Sequence, residues 1–220
     1  MTGYPDGEFL LPLFPLPNVV FFPRTRLPLH VFEPRYRKMV GDALEGDRRI
    51  GIVLLRPGWE QEYFGVPPVH THGTMGEIEQ AVPLDDGRYQ IVLDGVVRFR
   101  IVEPMTSDPY RVARVVADPE RMPPPSEAWA LREWLADLSR SYLDLLPGED
   151  DVPEIGSAAL DALTTALIMS LNLAPEIRQD LLSLDDVTIR SERIGKLLQE
   201  KIESMKFLST FKRPADPSSN

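Results

Sequence analysis

The side chains with the widest chemical repertoire in this 220-residue chain are two histidines two positions apart, His70 and His72, followed by Glu77 and Glu79. On a strand such a pair shares one face, and with a carboxylate it could ligate a metal. Only His30 remains as a further histidine, so a surface pair near a strand start is the plainer reading, and no metal or other cofactor is expected. The acidic clusters Glu149-Asp150-Asp151 and Asp185-Asp186 lack the alternating oxygen spacing of a calcium loop and read as a solvated loop and a helix cap. There is no cysteine, which excludes disulfides, thiolate nucleophiles and thiolate-bound zinc.

Phosphate chemistry needs a glycine-rich loop ending in Gly-Lys-Ser or Gly-Lys-Thr. The five lysines are Lys38, Lys196, Lys201, Lys206 and Lys212, and none follows such a loop. Gly195-Lys196 comes nearest, but Leu197 follows it within a helical pattern. No glycine-flanked serine resembles a serine–lysine protease site. No catalytic residues are assigned, and a non-enzymatic chain is expected.

What remains is binding. Two segments carry aromatics in loop-like surroundings: Asn18–Pro23, with Phe21 and Phe22, and Arg56–Pro68, with Trp59, Tyr63, Phe64 and Val66. Aromatics on loops supply large contact area at low entropic cost, as a polypeptide-binding site requires. The alternative is that they close an open end of a barrel. Arg88, Arg98, Arg100, Arg111 and Arg114 could track a polyanion, but the net charge of −10 repels a phosphate backbone. Residues 1–118 carry 13 basic and 16 acidic side chains, and residues 119–220 carry 11 and 18, so the acidity sits mainly in the second half.

The elements that must position these residues differ between the halves. Up to Asp118 strands dominate: 26–31, the continuous apolar run 49–55, 71–82, 88–93, 96–102 and 110–117. Val97, Phe99 and Ile101 alternate with Arg98 and Arg100, and Val112 and Val115 stand against Arg111 and Arg114. Asp85-Asp86-Gly87 and Asp94-Gly95 both read as hairpin turns. One helix interrupts, from Glu33 to Leu44, with Tyr36, Met39, Val40 and Ala43 on one face. Residues 119–125 read as a proline-rich linker, followed by a helical bundle over 126–211 with Ser126 as its first cap and Asp186 as its last, and a disordered tail over 212–220. No apolar run approaches a bilayer span and no secretory signal opens the chain, so a cytoplasmic protein without membrane contact is expected.

Several segments, in order, resemble the Lon protease N-terminal (substrate-binding) domain family. They are Leu11–Leu16, Val19–Pro23, Leu27-Pro28-Leu29, Phe32–Arg37 (FEPRYR), Gly73–Ile78, Asp86–Tyr89, Asp94–Phe99, and Ala166–Leu173 before Pro175. Gly76 departs from the alanine usual in that family and marks a loosened strand or a bulge. The resemblance covers roughly residues 9–206. It implies an α+β fold, a PUA-like β pseudo-barrel with one inserted helix followed by a C-terminal helical bundle, with 1–118 as the barrel. It also implies a stand-alone member lacking the ATPase and protease domains, a monomer or weak dimer. Its partner would be an unfolded or flexible polypeptide, or a protein docked in an adaptor role.

Overall fold

Period-two stretches rich in β-branched and aromatic residues form six strands. They are β1 (Glu8–Leu16), β2 (Arg26–Val31), β3 (Arg49–Leu55), β4 (Val69–Pro83), β5 (Tyr89–Thr106) and β6 (Arg111–Ala117). The structure is a computed structural model that describes residues 4–62, 66–106, 108–146 and 158–211. The acidic run Glu149-Asp150-Asp151 and the tail 212–220 lie outside these residues.

The strands make one sheet in the order β2-β5-β4-β3-β1-β6, and β5 also pairs with β6. That extra pairing closes β5, β4, β3, β1 and β6 into a ring, with β2 attached to the first part of β5. All neighbours are antiparallel except β1 and β3. Alternate residues of the ring strands point inward: Leu11, Leu13, Val53, Met75, Val97, Phe99, Ala113 and Val115 form one buried cluster. A second cluster lies on the other face of the sheet, where helix α1 (Pro34–Glu45) lays Tyr36, Met39, Val40 and Ala43 on Ile50, Ile52, Ile78, Ile91 and Leu93. Those four helical residues are the face the 3.6-residue spacing predicts.

Two sequence expectations for the strands are corrected. Residues 88–93 and 96–102 are not separate strands, because β5 runs unbroken from Tyr89 to Thr106. Asp94-Gly95 is a bulge within it: Met75 pairs with Val97 and Gly76 with Gly95, leaving Val96 extra. Gly95 is there for a close approach, since a Cβ would lie 2.4 Å from the Phe22 carbonyl oxygen. Gly76 opposes it at the same irregularity, as its departure from alanine suggests. The second correction concerns β6, where Ala113 and Val115 face the core. Their phase puts Arg111, not Val112, on the inward side. Asp85-Asp86-Gly87 is a true turn, with Gly87 at φ 78° and Leu84 N–H bonded to the Arg88 carbonyl.

The remaining helices are α2 (Pro125–Leu143), α3 (Leu160–Ser170), α4 (Pro175–Ser183) and α5 (Val187–Phe211). The contacts divide the chain into one unit of residues 1–120 with 173–185 and another of residues 121–172 with 186–220. The sequence reading groups α4 with the other C-terminal helices; the contacts place it with the strands, against β4. In the second unit Leu135, Leu160, Leu163, Leu167, Ile194, Leu198 and Ile202 are buried. Gly195 lies so close to the Trp134 ring that a Cβ would stand 2.1 Å from it, so the glycine before Lys196 serves helix packing. Ser126 is not a cap: α2 opens one residue earlier, on Pro125, and the cap position falls on Pro124, whose side chain has no acceptor. Asp186 does cap α5, accepting from the Ile189 N–H at 3.3 Å.

Candidate clefts at the barrel rim

The chain leaving β3 turns through Pro57-Gly58 into a short 3-10 turn, Trp59–Glu62. This sets Trp59 in the lining of a cleft of about 320 Å³, together with Phe14, Leu16, Phe32 and Tyr36. Phe14 and Tyr36 pack with ring centroids 4.2 Å apart. The Arg35 guanidinium sits 4.6 Å from the Tyr36 ring centroid and 2.8 Å from the Glu33 carboxylate. Phe32, at the start of the FEPRYR run, is 59% exposed, with the His30 ring stacked 6.3 Å away between centroids.

A second cleft, also about 320 Å³, is lined by Leu13, Val66, Val69, Ile101 and Ala113. Leu13 and Ala113 belong to the inward-facing cluster, so this cleft is the open mouth of the barrel. Arg111 lines both clefts. It pairs with Leu13 across β1 and β6 and is partly buried at the rim.

The predicted binding residues fare unequally. Trp59 lines the first cleft and Val66, 58% exposed, the second. Tyr63 and Phe64 lie outside the described residues. Phe21 and Phe22 are a correction: they are 3% and 0% exposed. The connection from β1 to β2 folds back over the sheet, where the Thr74 hydroxyl donates to the Phe21 carbonyl at 2.5 Å. Rings held this way complete the core and cannot meet a ligand. Sequence reasoning passed over Phe32, Tyr36 and Arg111 as site residues. Counting back two positions from Val115 and Ala113 would have turned Arg111 inward.

The histidines serve separate ends. His70 Nε2 lies 3.3 Å from the Glu176 carboxylate, and His72 Nε2 lies 4.0 Å from Asp118. Burial lowers the His72 pKa, Arg98 and Arg100 reinforce this, and Asp118 opposes it. Glu79 is taken by Arg26 at 2.7 Å. Among the described residues no group of three or more His, Asp or Glu is placed to hold a metal ion. Three of the five arginines are already engaged: Arg98 is buried, Arg88 pairs with Asp86, and Arg114 lies 3.8 Å from both Glu8 and Glu103.

Beside the clefts, the Tyr110 hydroxyl donates to Asp42 at 2.8 Å. Burial and this carboxylate push the phenol pKa up to about 12, while hydrogen bonds from Lys38 and Tyr110 lower that of Asp42. The folded pKa of Tyr110 exceeds the unfolded value of about 10. The stability it contributes is therefore complete below pH ~10 and lost as pH rises through ~12. An ultraviolet phenolate titration should show one late-ionising tyrosine that vanishes in Tyr110→Phe; superimposable curves would refute the bond.

A model of the ATP-dependent protease La (LON) substrate-binding domain matches residues 10–200. The chain belongs to that family. Lon protease 2 of Myxococcus xanthus is 30% identical over 208 residues, 91% of this chain but 25% of its own length. The Lon protease of Anaeromyxobacter dehalogenans is 28% identical over 208 residues, with 91% and 24% covered. The chain thus spans about a quarter of these curated relatives, and the similarity lies in the LON substrate-binding domain. The crystal structure of a Lon N-terminal domain protein from Xanthomonas campestris superposes with a TM-score of 0.61 at 26% identity, covering 84% of this chain and 96% of that one. The N-terminal domain of the Mycobacterium avium complex Lon protease shares the fold, with a TM-score of 0.66 at 16% identity and 87% and 98% covered. Among the described residues no helix is long and apolar enough to cross a membrane.

Proposed function

We propose that this LON substrate-binding domain is a non-enzymatic module that receives flexible polypeptide segments in the two clefts at the barrel rim. The closed five-strand ring, read as a PUA-like barrel, holds the clefts rigid. The observation that carries the reading is the first cleft itself, a concave apolar surface lined by Trp59 and the exposed Phe32. Tryptophan and its aromatic neighbours are the side chains that dominate protein-recognition energies when a partner desolvates them. Family membership supports a substrate-recognition role, and the match covers the substrate-binding domain alone.

The test is fluorescence anisotropy of labelled, permanently unfolded casein titrated with the full chain. Loss of an aromatic anchor typically costs 2 kcal/mol or more, so Trp59→Ala should weaken binding roughly 30-fold, and Phe32→Ala should weaken it too. Casein that binds Trp59→Ala and wild type alike would remove these clefts as the site. A second reading, an adaptor role for the helical unit, is favoured by the exposed Trp129, at 66%, and Phe207, at 63%. It predicts that Trp129→Ala, rather than Trp59→Ala, abolishes capture of a protein partner.

A further inference from the structure

We infer that Arg111 reads a carboxylate, and that the clefts select internal polypeptide segments in which an Asp or Glu is flanked on both sides by apolar side chains. The inference rests on the proposed polypeptide-binding reading and adds its specificity. Its starting point is a contrast in charge pairing. Acidic residues outnumber basic ones by ten in this chain, and several arginines of the same unit have carboxylates: Arg35 has Glu33, Arg98 has Asp118, and Arg114 has Glu8 and Glu103. Arg111 makes no ion pair and no side-chain hydrogen bond among the described residues, although its inward register draws it partly out of water. Burial lowers its pKa, Tyr36 opposes this, and the Arg35 guanidinium, the least of the three effects, lowers it further. A guanidinium that is partly desolvated, repelled by its charged neighbour and never neutral in practice is stabilised by an incoming anion. Its planar fork of donors matches a carboxylate in two-point fashion.

The placement defines the rest of the ligand. One apolar cleft, with Phe14, Tyr36 and Trp59, lies on one side of Arg111, and the apolar barrel mouth, with Leu13, Val69 and Ile101, lies on the other. A chain that ended at Arg111 would fill only one of them. An extended segment that continues past the arginine places an apolar side chain in each cleft and its acidic side chain between them. Clefts of this size admit side chains rather than a folded domain, so the segment must be unfolded or flexible.

The experiment uses labelled peptides and the full chain. One peptide carries Leu-Phe-Asp-Leu-Phe between Gly-Ser flanks, a second carries Asn in place of Asp, and a third ends in Leu-Phe with a free or an amidated terminus. Wild type should bind the Asp peptide at least tenfold more tightly than the Asn peptide. That ratio should fall to near one in Arg111→Gln and to an intermediate value in Arg111→Lys, which keeps the charge but loses the fork. Because each ratio compares two peptides on the same protein, a general loss of stability cannot imitate it. Equal binding of Asp and Asn peptides by wild type, or a preference that survives Arg111→Gln, overturns the inference while leaving polypeptide binding in place. Preference only for the free terminus of the third peptide overturns it in favour of end recognition. Failure of all peptides and of unfolded casein overturns both readings.

Discussion

Replacing Arg98 by Met should lower the thermal midpoint of the barrel unit by roughly 10 °C. The side chain is fully buried, and its guanidinium donates to the Leu182 carbonyl at 2.9 Å, to the Leu184 carbonyl, to the Asp118 carbonyl at 3.2 Å and to the Asp118 carboxylate. Leu182 and Leu184 are at the end of α4, where the last carbonyls of any helix lack intrahelical partners. One arginine therefore caps α4, ties it to the barrel and fixes the chain at Asp118, whose N–H returns a bond to the Arg98 carbonyl at 2.8 Å. Methionine restores the apolar stem but strands these acceptors. Each buried acceptor left unpaired costs about 1–3 kcal/mol, and breaking a buried charged cluster from one side costs about 3–5 kcal/mol in all. At about 2–4 °C per kcal/mol for a chain of this size, a shift near 10 °C results. Hydrogen exchange should also quicken across residues 175–184, because α4 loses its anchor. Arg100→Met, on the exposed neighbour, should stay within about 0.5 kcal/mol of wild type. An Arg98→Met midpoint within 2 °C of wild type would show that water replaces the guanidinium without cost.

How far the sequence discloses this fold depends on the range of the interaction that decides each element. The strand at 49–55 and the face Tyr36-Met39-Val40-Ala43 are local patterns, a continuous apolar run and a 3.6-residue stripe, and both appear as read. Asp94-Gly95 misleads because glycine answers two different demands, positive φ in a turn and room for a passing backbone. Here it is the second, imposed by Phe22 over 70 positions away. The same passing segment hides Phe21 and Phe22, which look exposed only because prolines around them suggest a loop. Arg98 and Arg111 are alike on paper, both on strands among valines. A helix from the far end of the chain covers the first, while the second stands at a rim whose existence depends on β5 pairing with β6. Trp59 was within reach of sequence reasoning since an aromatic in a Pro-Gly loop has no strand partner. Its neighbours Phe32 and Tyr36 were hidden within a helix start.

The Gly73-Thr74-Met75-Gly76 run, part of the family resemblance, is constrained by packing. Gly73→Ala should destabilise the barrel by about 3 kcal/mol, the upper part of the range for overpacked cores. Gly73 sits in β4 between Val53 of β3 and Phe99 of β5. A Cβ there would lie 2.3 Å from the Ile52 carbonyl oxygen, 2.8 Å from Phe99 Cζ and 2.8 Å from Val53 Cγ1. Alanine in place of glycine ordinarily gains about 0.4–1 kcal/mol by restricting the unfolded chain. That gain is outweighed here because the nearest atom is backbone in a paired strand and cannot turn away. Phe99→Leu removes the ring contact but leaves the carbonyl, so the double variant should recover only part of the Gly73→Ala loss in a denaturant-unfolding cycle. Full recovery would mean that the ring alone sets the limit, and a Gly73→Ala chain as stable as wild type would mean that the ring of strands is loose enough to move. Pushing these strands apart would also disturb the site, since Leu13, Val69 and Ile101 form the barrel mouth only while β1, β4 and β5 keep this spacing. Gly73→Ala should therefore weaken casein binding even though no atom of Gly73 lines either cleft.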